Sequence, residues 1–127
     1  MPGNVGYSVV TVVSEKNKIA AGEPNMSVKT HLSPDGKIYT IAISGRFDFN
    51  LHQEFRKAYE QVDAKAVHYQ IDLGATDYID SSALGMLLLL RERAGGDQSD
   101  IDVINCSAEI RNILTISNFN QLFNINP

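Results

Sequence analysis

The stretch Tyr78-Ile79-Asp80-Ser81-Ser82-Ala83-Leu84-Gly85-Met86-Leu87-Leu88-Leu89-Leu90 places Asp-Ser-Ser at the start of an apolar helix that follows a strand and a short loop. A helix start has backbone N–H groups with no partner inside the helix and a partial positive charge, so it favours a negative group. Asp80, Ser81 and Ser82 are all preferred cap residues, and the order alone does not say which of them caps. A phosphate on a first-turn serine would be accommodated without unfolding the helix and would add roughly -1.5 to -2 charge. The leucine run is apolar on nearly every side, as expected of a buried helix. A helix lying on a sheet still has an outer side, and Ala83, Met86 and some of the leucines are candidates for a surface that docks a partner.

Working upstream, Val67, Tyr69, Ile71 and Leu73 alternate with His68, Gln70 and Asp72, which predicts a strand with one polar face, followed by a loop over 74–77. Before it, Asn50 is the expected N-cap of a helix carrying Leu51, Phe55, Ala58 or Tyr59, and Val62 at helical spacing. Earlier still, the alternations of Val28, Thr30, Leu32 and of Tyr39, Ile41, Ile43 flank Ser33-Pro34-Asp35-Gly36, a hairpin pattern. Downstream, the helix over 81–94 ends at Gly95-Gly96, a short strand follows over 101–105, and a capped helix spans 107–116. The order β-β-α-β-α-β-α predicts an α/β domain with a mixed, mainly parallel sheet of four to five strands. Residues 1–26 read as an extension and 27–127 as the domain. The extension holds a β-prone run, Val9 to Val13, that would be an exposed edge if unpaired, and Met26 is an alternative start.

The totals exclude several classes. With 127 residues and 43% apolar content, one domain can bury a core unaided. Fifteen acidic against eleven basic side chains argue against nucleic acid as a partner. A single cysteine, Cys106, allows neither a disulfide within the chain nor a Cys-rich metal site, and it fits a reducing cytoplasm. The longest apolar run falls far short of the roughly 20 residues that span a bilayer, and Met1 to Gly6 lacks the basic residues of a signal peptide. No membrane association, metal or cofactor is expected.

The segment opening the second helix resembles the signature of the STAS family of bacterial anti-sigma factor antagonists, in which Asp-Ser-Ser or Asp-Ser-Thr is followed by Gly-Leu-Gly. Gly45-Arg46-Phe47-Asp48 is similar to the family's Gly-x-x-Asp element, and Asn118-Phe119-Asn120-Gln121-Leu122-Phe123 resembles its C-terminal segment, so the resemblance covers about 28 to 125. It implies that Ser81 is a regulatory phosphoserine, with Ser82 supporting it and Asp48 and Asp80 beside it. The family's usual glycine after the second serine is Ala83 here, which implies a firmer first turn. The function implied is a partner switch. Unphosphorylated, the protein binds an anti-sigma factor and frees the sigma factor; phosphorylated on Ser81, it lets go. The kinase would be the anti-sigma factor itself, a related ATP-using partner or a response-regulator protein, and a separate phosphatase would reset the switch. The alternative of the same fold is a constitutive scaffold subunit of a sensory or transport assembly, in which Ser81 only caps the helix.

An enzyme is not expected. Ser81 lacks both glycines of a nucleophile elbow, and His68, the nearest histidine in sequence, belongs to a strand whose alternation points it to solvent. His31 and His52 have no neighbours at metal-binding spacing. Gly95-Gly96 is a helix stop rather than a phosphate loop, and Cys106 reads as a packed thiol.

Overall fold

The computed structural model describes residues 27–126 of the chain, and the expected extension with its Val9–Val13 run lies outside them. Strands β1 (Val28–Leu32) and β2 (Ile38–Phe47) form the hairpin, antiparallel with Val28 opposite Ile43. Helix α1 (His52–Glu60) crosses to β3 (His68–Ile79), and α2 (Ser81–Arg93) crosses to β4 (Asp102–Ile104). Helix α3 (Ala108–Ile116) leads to a two-residue strand, β5 (Asn124–Ile125). The sheet order is β1-β2-β3-β4-β5, and every pair after the hairpin is parallel. The α/β fold with a mixed, mainly parallel sheet is therefore as expected. β5 is added at its edge, held by Asp102 opposite Asn124 and Val103 opposite Ile125.

One parity of the strands carries the core. Tyr39, Ile41, Ile43, Tyr69, Ile71, Leu73 and Val103 are buried, while Thr40, Ala42, Gln70, Asp72 and Asp102 on the other parity are half-buried. Burying apolar side chains on one face of a sheet under helices is the main stabilising term of such a layer. Two buried tyrosines lock α1 onto it: the Tyr39 hydroxyl donates to the Ala58 carbonyl at 2.6 Å, and the Tyr69 hydroxyl donates to the Tyr59 carbonyl at 2.9 Å. These carbonyls belong to the last turn of α1, where intrahelical partners run out; Ala58 also accepts the Gln61 N–H, at 3.4 Å.

The expected loop over 74–77 is instead strand. β3 carries extra residues against β2: Ala42 and Ser44 face Asp72 and Ala75, and Gly45 and Arg46 face Thr76 and Tyr78. Such bulges change the buried spacing from two residues (69, 71, 73) to three (73, 76, 79), so alternation disappears although pairing continues. The Thr76 hydroxyl, buried, donates to the Ile43 carbonyl at 2.7 Å within this irregular stretch.

Candidate functional site

Phe47 and Ile79 are register partners and the last residues of β2 and β3. The residues that follow them, Asp48 and Asp80, therefore leave the sheet on neighbouring strands, about 4.8 Å apart in a parallel pair. Each aspartate caps what comes next. Asp80 Oδ1 accepts the Ala83 N–H at 3.1 Å and starts α2. Asp48 Oδ1 accepts the Asn50 N–H at 3.0 Å and starts a 3₁₀ turn, Phe49–Leu51, that runs into α1. Asn50 is thus not the N-cap expected from its type: α1 follows Leu51 without a side-chain cap, and Asp48 caps the preceding turn with Asn50 as its donor.

With Asp80 as the cap, Ser81 is the first residue of α2 and is exposed, while Ser82 is half-buried. The structure brings together all four polar residues singled out in the sequence: Asp48 and Asp80 at adjoining strand ends, with Ser81 and Ser82 directly after Asp80. It also adds residues to which the sequence motifs assign no role. Arg46 Nε lies 3.4 Å from Asp48 Oδ2, and its guanidinium lies 3.8 Å from the centre of the Tyr78 ring. Phe49, 63% exposed, stacks on His52 with centroids 4.6 Å apart and planes 6° apart. The available signal was an aromatic residue between Asp48 and Asn50, outside the apolar stripe of α1. Gly45, at φ +78°, lets β2 turn just before Arg46, a conformation that a side chain disfavours.

The expected outer surface of α2 needs correction. Ala83 is 0% exposed and Met86 6%, so both belong to the core with Leu87 and Leu90. These four recur at i, i+3, i+4 and i+7, the stripe that α2 turns toward the sheet. The outward residues are Ser81, Gly85, Leu88, Leu89, Glu92 and Arg93. An open groove runs between α1 and α2, lined by His52, Phe55 and Tyr59 on one side and Met86, Leu89 and Arg93 on the other. Met86 contributes to that groove although little of it is exposed.

His68 is not simply solvent-facing. Its Nε2 lies 3.1 Å from Asp102 Oδ2 on the neighbouring strand, and Asn124 of β5 donates to the same Asp102 side chain at 3.0 Å. His68 begins β3 whereas Ser81 follows its end, and at about 3.3 Å per strand residue the two lie roughly 30 Å or more apart. His68 cannot act as a base for Ser81. Cys106 is buried, and burial pushes its thiol up, away from the reactive thiolate. Among the described residues no cluster of three His, Cys, Asp or Glu could hold a metal, and no helix is long and apolar enough to cross a membrane.

Residues 30–124 match the STAS family model described as "Mlab, STAS domain", and the chain belongs to the STAS domain family. A STAS-domain containing protein of Pseudomonas aeruginosa is 55% identical over 100 residues, covering 79% of this chain and 99% of that protein. Among solved structures, an anti-sigma factor antagonist from Mycobacterium paratuberculosis has a TM-score of 0.64 at 20% identity, covering 83% of this chain and 89% of the other. SpoIIAA, an anti-sigma factor antagonist, in its unphosphorylated form has a TM-score of 0.58 at 15% identity over 71% of this chain and 83% of the other. The phosphorylated Bacillus SpoIIAA has a TM-score of 0.56, also at 15% identity, over 80% and 91%. At these identities the structures establish a shared SpoIIAA-like fold.

Proposed function

We propose that this protein is an anti-sigma factor antagonist, a cytoplasmic binding module switched by phosphorylation of Ser81 rather than an enzyme. Unphosphorylated, it binds an anti-sigma factor through the face formed where β2 and β3 end; phosphorylated, it releases it. The observation that carries this reading is the division of labour at the start of α2. Asp80 caps the helix, so the exposed Ser81 is not needed as a cap and its hydroxyl is accessible to a kinase. The site also lies at the carboxyl ends of parallel strands, where open α/β sheets present their binding residues.

A phosphate on Ser81 puts a dianion in the docking face, which costs desolvation and repels acidic groups opposite it. Ser82 supports the first turn beside it. The kinase is the anti-sigma factor itself, a related ATP-using protein or a response-regulator protein, and a phosphatase reverses the step. The test is a pull-down from native extract with wild-type, Ser81→Ala and Ser81→Asp baits, with mass spectrometry of the Ser81 peptide. An anti-sigma factor captured by the alanine bait and lost from the aspartate bait, with native Ser81 partly phosphorylated, is the expected result. Identical capture by all three baits with Ser81 never modified means a constitutive scaffold, and the switch is abandoned.

A further inference from the structure

A phosphate on Ser81 would enter a surface that is already acidic. Asp80 precedes it, Asp48 lies on the adjoining strand end, and Asp77 lies four residues before it on β3. Like charges oppose full ionisation of a phosphate unless a cation is near. Arg46 is that cation by position. It is paired across the sheet with Tyr78, three residues before Ser81 and so at most about 11 Å from it along the chain. Its contact with Asp48 shows that the guanidinium already reaches the end of the sheet where Asp80 and Ser81 follow.

Arg46 is also lightly held. Its side chain is 62% exposed, and among the described residues its one hydrogen bond runs from Nε to Asp48 at 3.4 Å, long for a charge-assisted contact. The two terminal nitrogens of its fork make no hydrogen bond among the described residues, and that fork matches the oxygens of a phosphate. Building on the assignment of Ser81 as the modified residue, we propose that Arg46 is the internal counter-cation of phosphorylated Ser81. It exchanges its Asp48 and Tyr78 contacts for the phosphate. Phosphorylation then alters the docking face in shape as well as charge: Asp48 loses its cation and the Tyr78 ring is uncovered.

The test uses the whole chain with phosphoserine installed at position 81 during synthesis, titrated by ³¹P NMR beside its Arg46→Gln and Arg46→Lys variants. Free phosphoserine loses its second proton near pH 6, and Arg46 should hold the midpoint below that of Arg46→Gln by roughly 0.5–1 unit. Arg46→Lys, a point charge without the fork, should fall between them. His52, at the start of α1, is the same in all three and cancels in the comparison. The Arg46 Nε–H resonance should also move between the unmodified and phosphorylated chains. Equal midpoints for wild type and Arg46→Gln, or an unmoved Nε–H resonance, would overturn the assignment. Because the phosphate is installed without a kinase, this result is independent of whether the pull-down finds a switch, and either idea can fail alone.

Discussion

Two helices start side by side at the ends of β2 and β3, and they start differently. At β3, Asp80 opens α2 directly and leaves a hydroxyl, Ser81, exposed on its first turn. At β2, Asp48 opens a 3₁₀ turn that lifts an aromatic ring, Phe49, into solvent before α1 begins at His52. The helices differ in pattern as well. α1 has a distinct apolar stripe in its sequence, whereas α2 is apolar on almost every side and shows its inner stripe only once it is packed. The difference teaches that one pair of neighbouring aspartates can build a face with two chemistries, a polar modifiable point beside an apolar stacking surface.

The packing half of the comparison is broken or sharpened most strongly within the leucine run of α2. Leu87→Ala, at a position with no exposure, should cost about 2–5 kcal/mol in urea denaturation, whereas Leu88→Ala on the outer side should stay within about 0.5 kcal/mol. Similar costs would mean that α2 is not oriented as described. The capping half comes next. Asp80→Ala should cost about 1 kcal/mol, and Asp48→Ala less, since Asp48 heads a three-residue turn rather than a thirteen-residue helix. An Asp48→Ala cost equal to or above that of Asp80→Ala would remove the distinction between the two starts.

The smallest effect concerns Glu54 in the first turn of α1. Burial pushes its carboxyl above the ordinary 4.5, with Lys57 opposing, and Oε1 is enclosed without a hydrogen-bond partner among the described residues. A raised acid holds its proton longer in the folded state than in the unfolded one. Stability therefore falls as pH rises from about 4.5 through the raised value, and the loss is complete above it. Glu54→Gln should accordingly melt slightly higher than wild type at pH 7, with the difference vanishing below about pH 4. An unchanged or lower melting temperature at pH 7 would show that the carboxylate is not penalised where it lies.

Much of this was legible in the order of residues. Alternation marked the hairpin and the first half of β3, Gly95-Gly96 marked the end of α2, and Ser107 capped α3 as its type suggests, accepting the Ile110 N–H at 3.1 Å. Asp48, Asp80, Ser81 and Ser82 could be picked out by resemblance. Other features left no periodic trace. β5 is two residues long, too short for alternation to appear, and exists because β4 offers it an edge. The second half of β3 lost its period to bulges that only pairing with β2 defines. The contact between His68 and Asp102 joins residues 34 apart in sequence.

The sequence by itself determined the class of fold and the position of the serine at a helix start, because turn chemistry, alternation and capping are local properties. Tertiary structure decided which side of α2 faces inward, and so buried Ala83 and Met86 and left Leu88 and Leu89 outside. It also decided which aspartate capped which turn, and that Arg46 would lie beside Tyr78 and Asp48 at the serine's end of the sheet. A helix apolar all round carries no directional signal of its own, and a contact between strands depends on register, which is fixed only when the whole sheet forms.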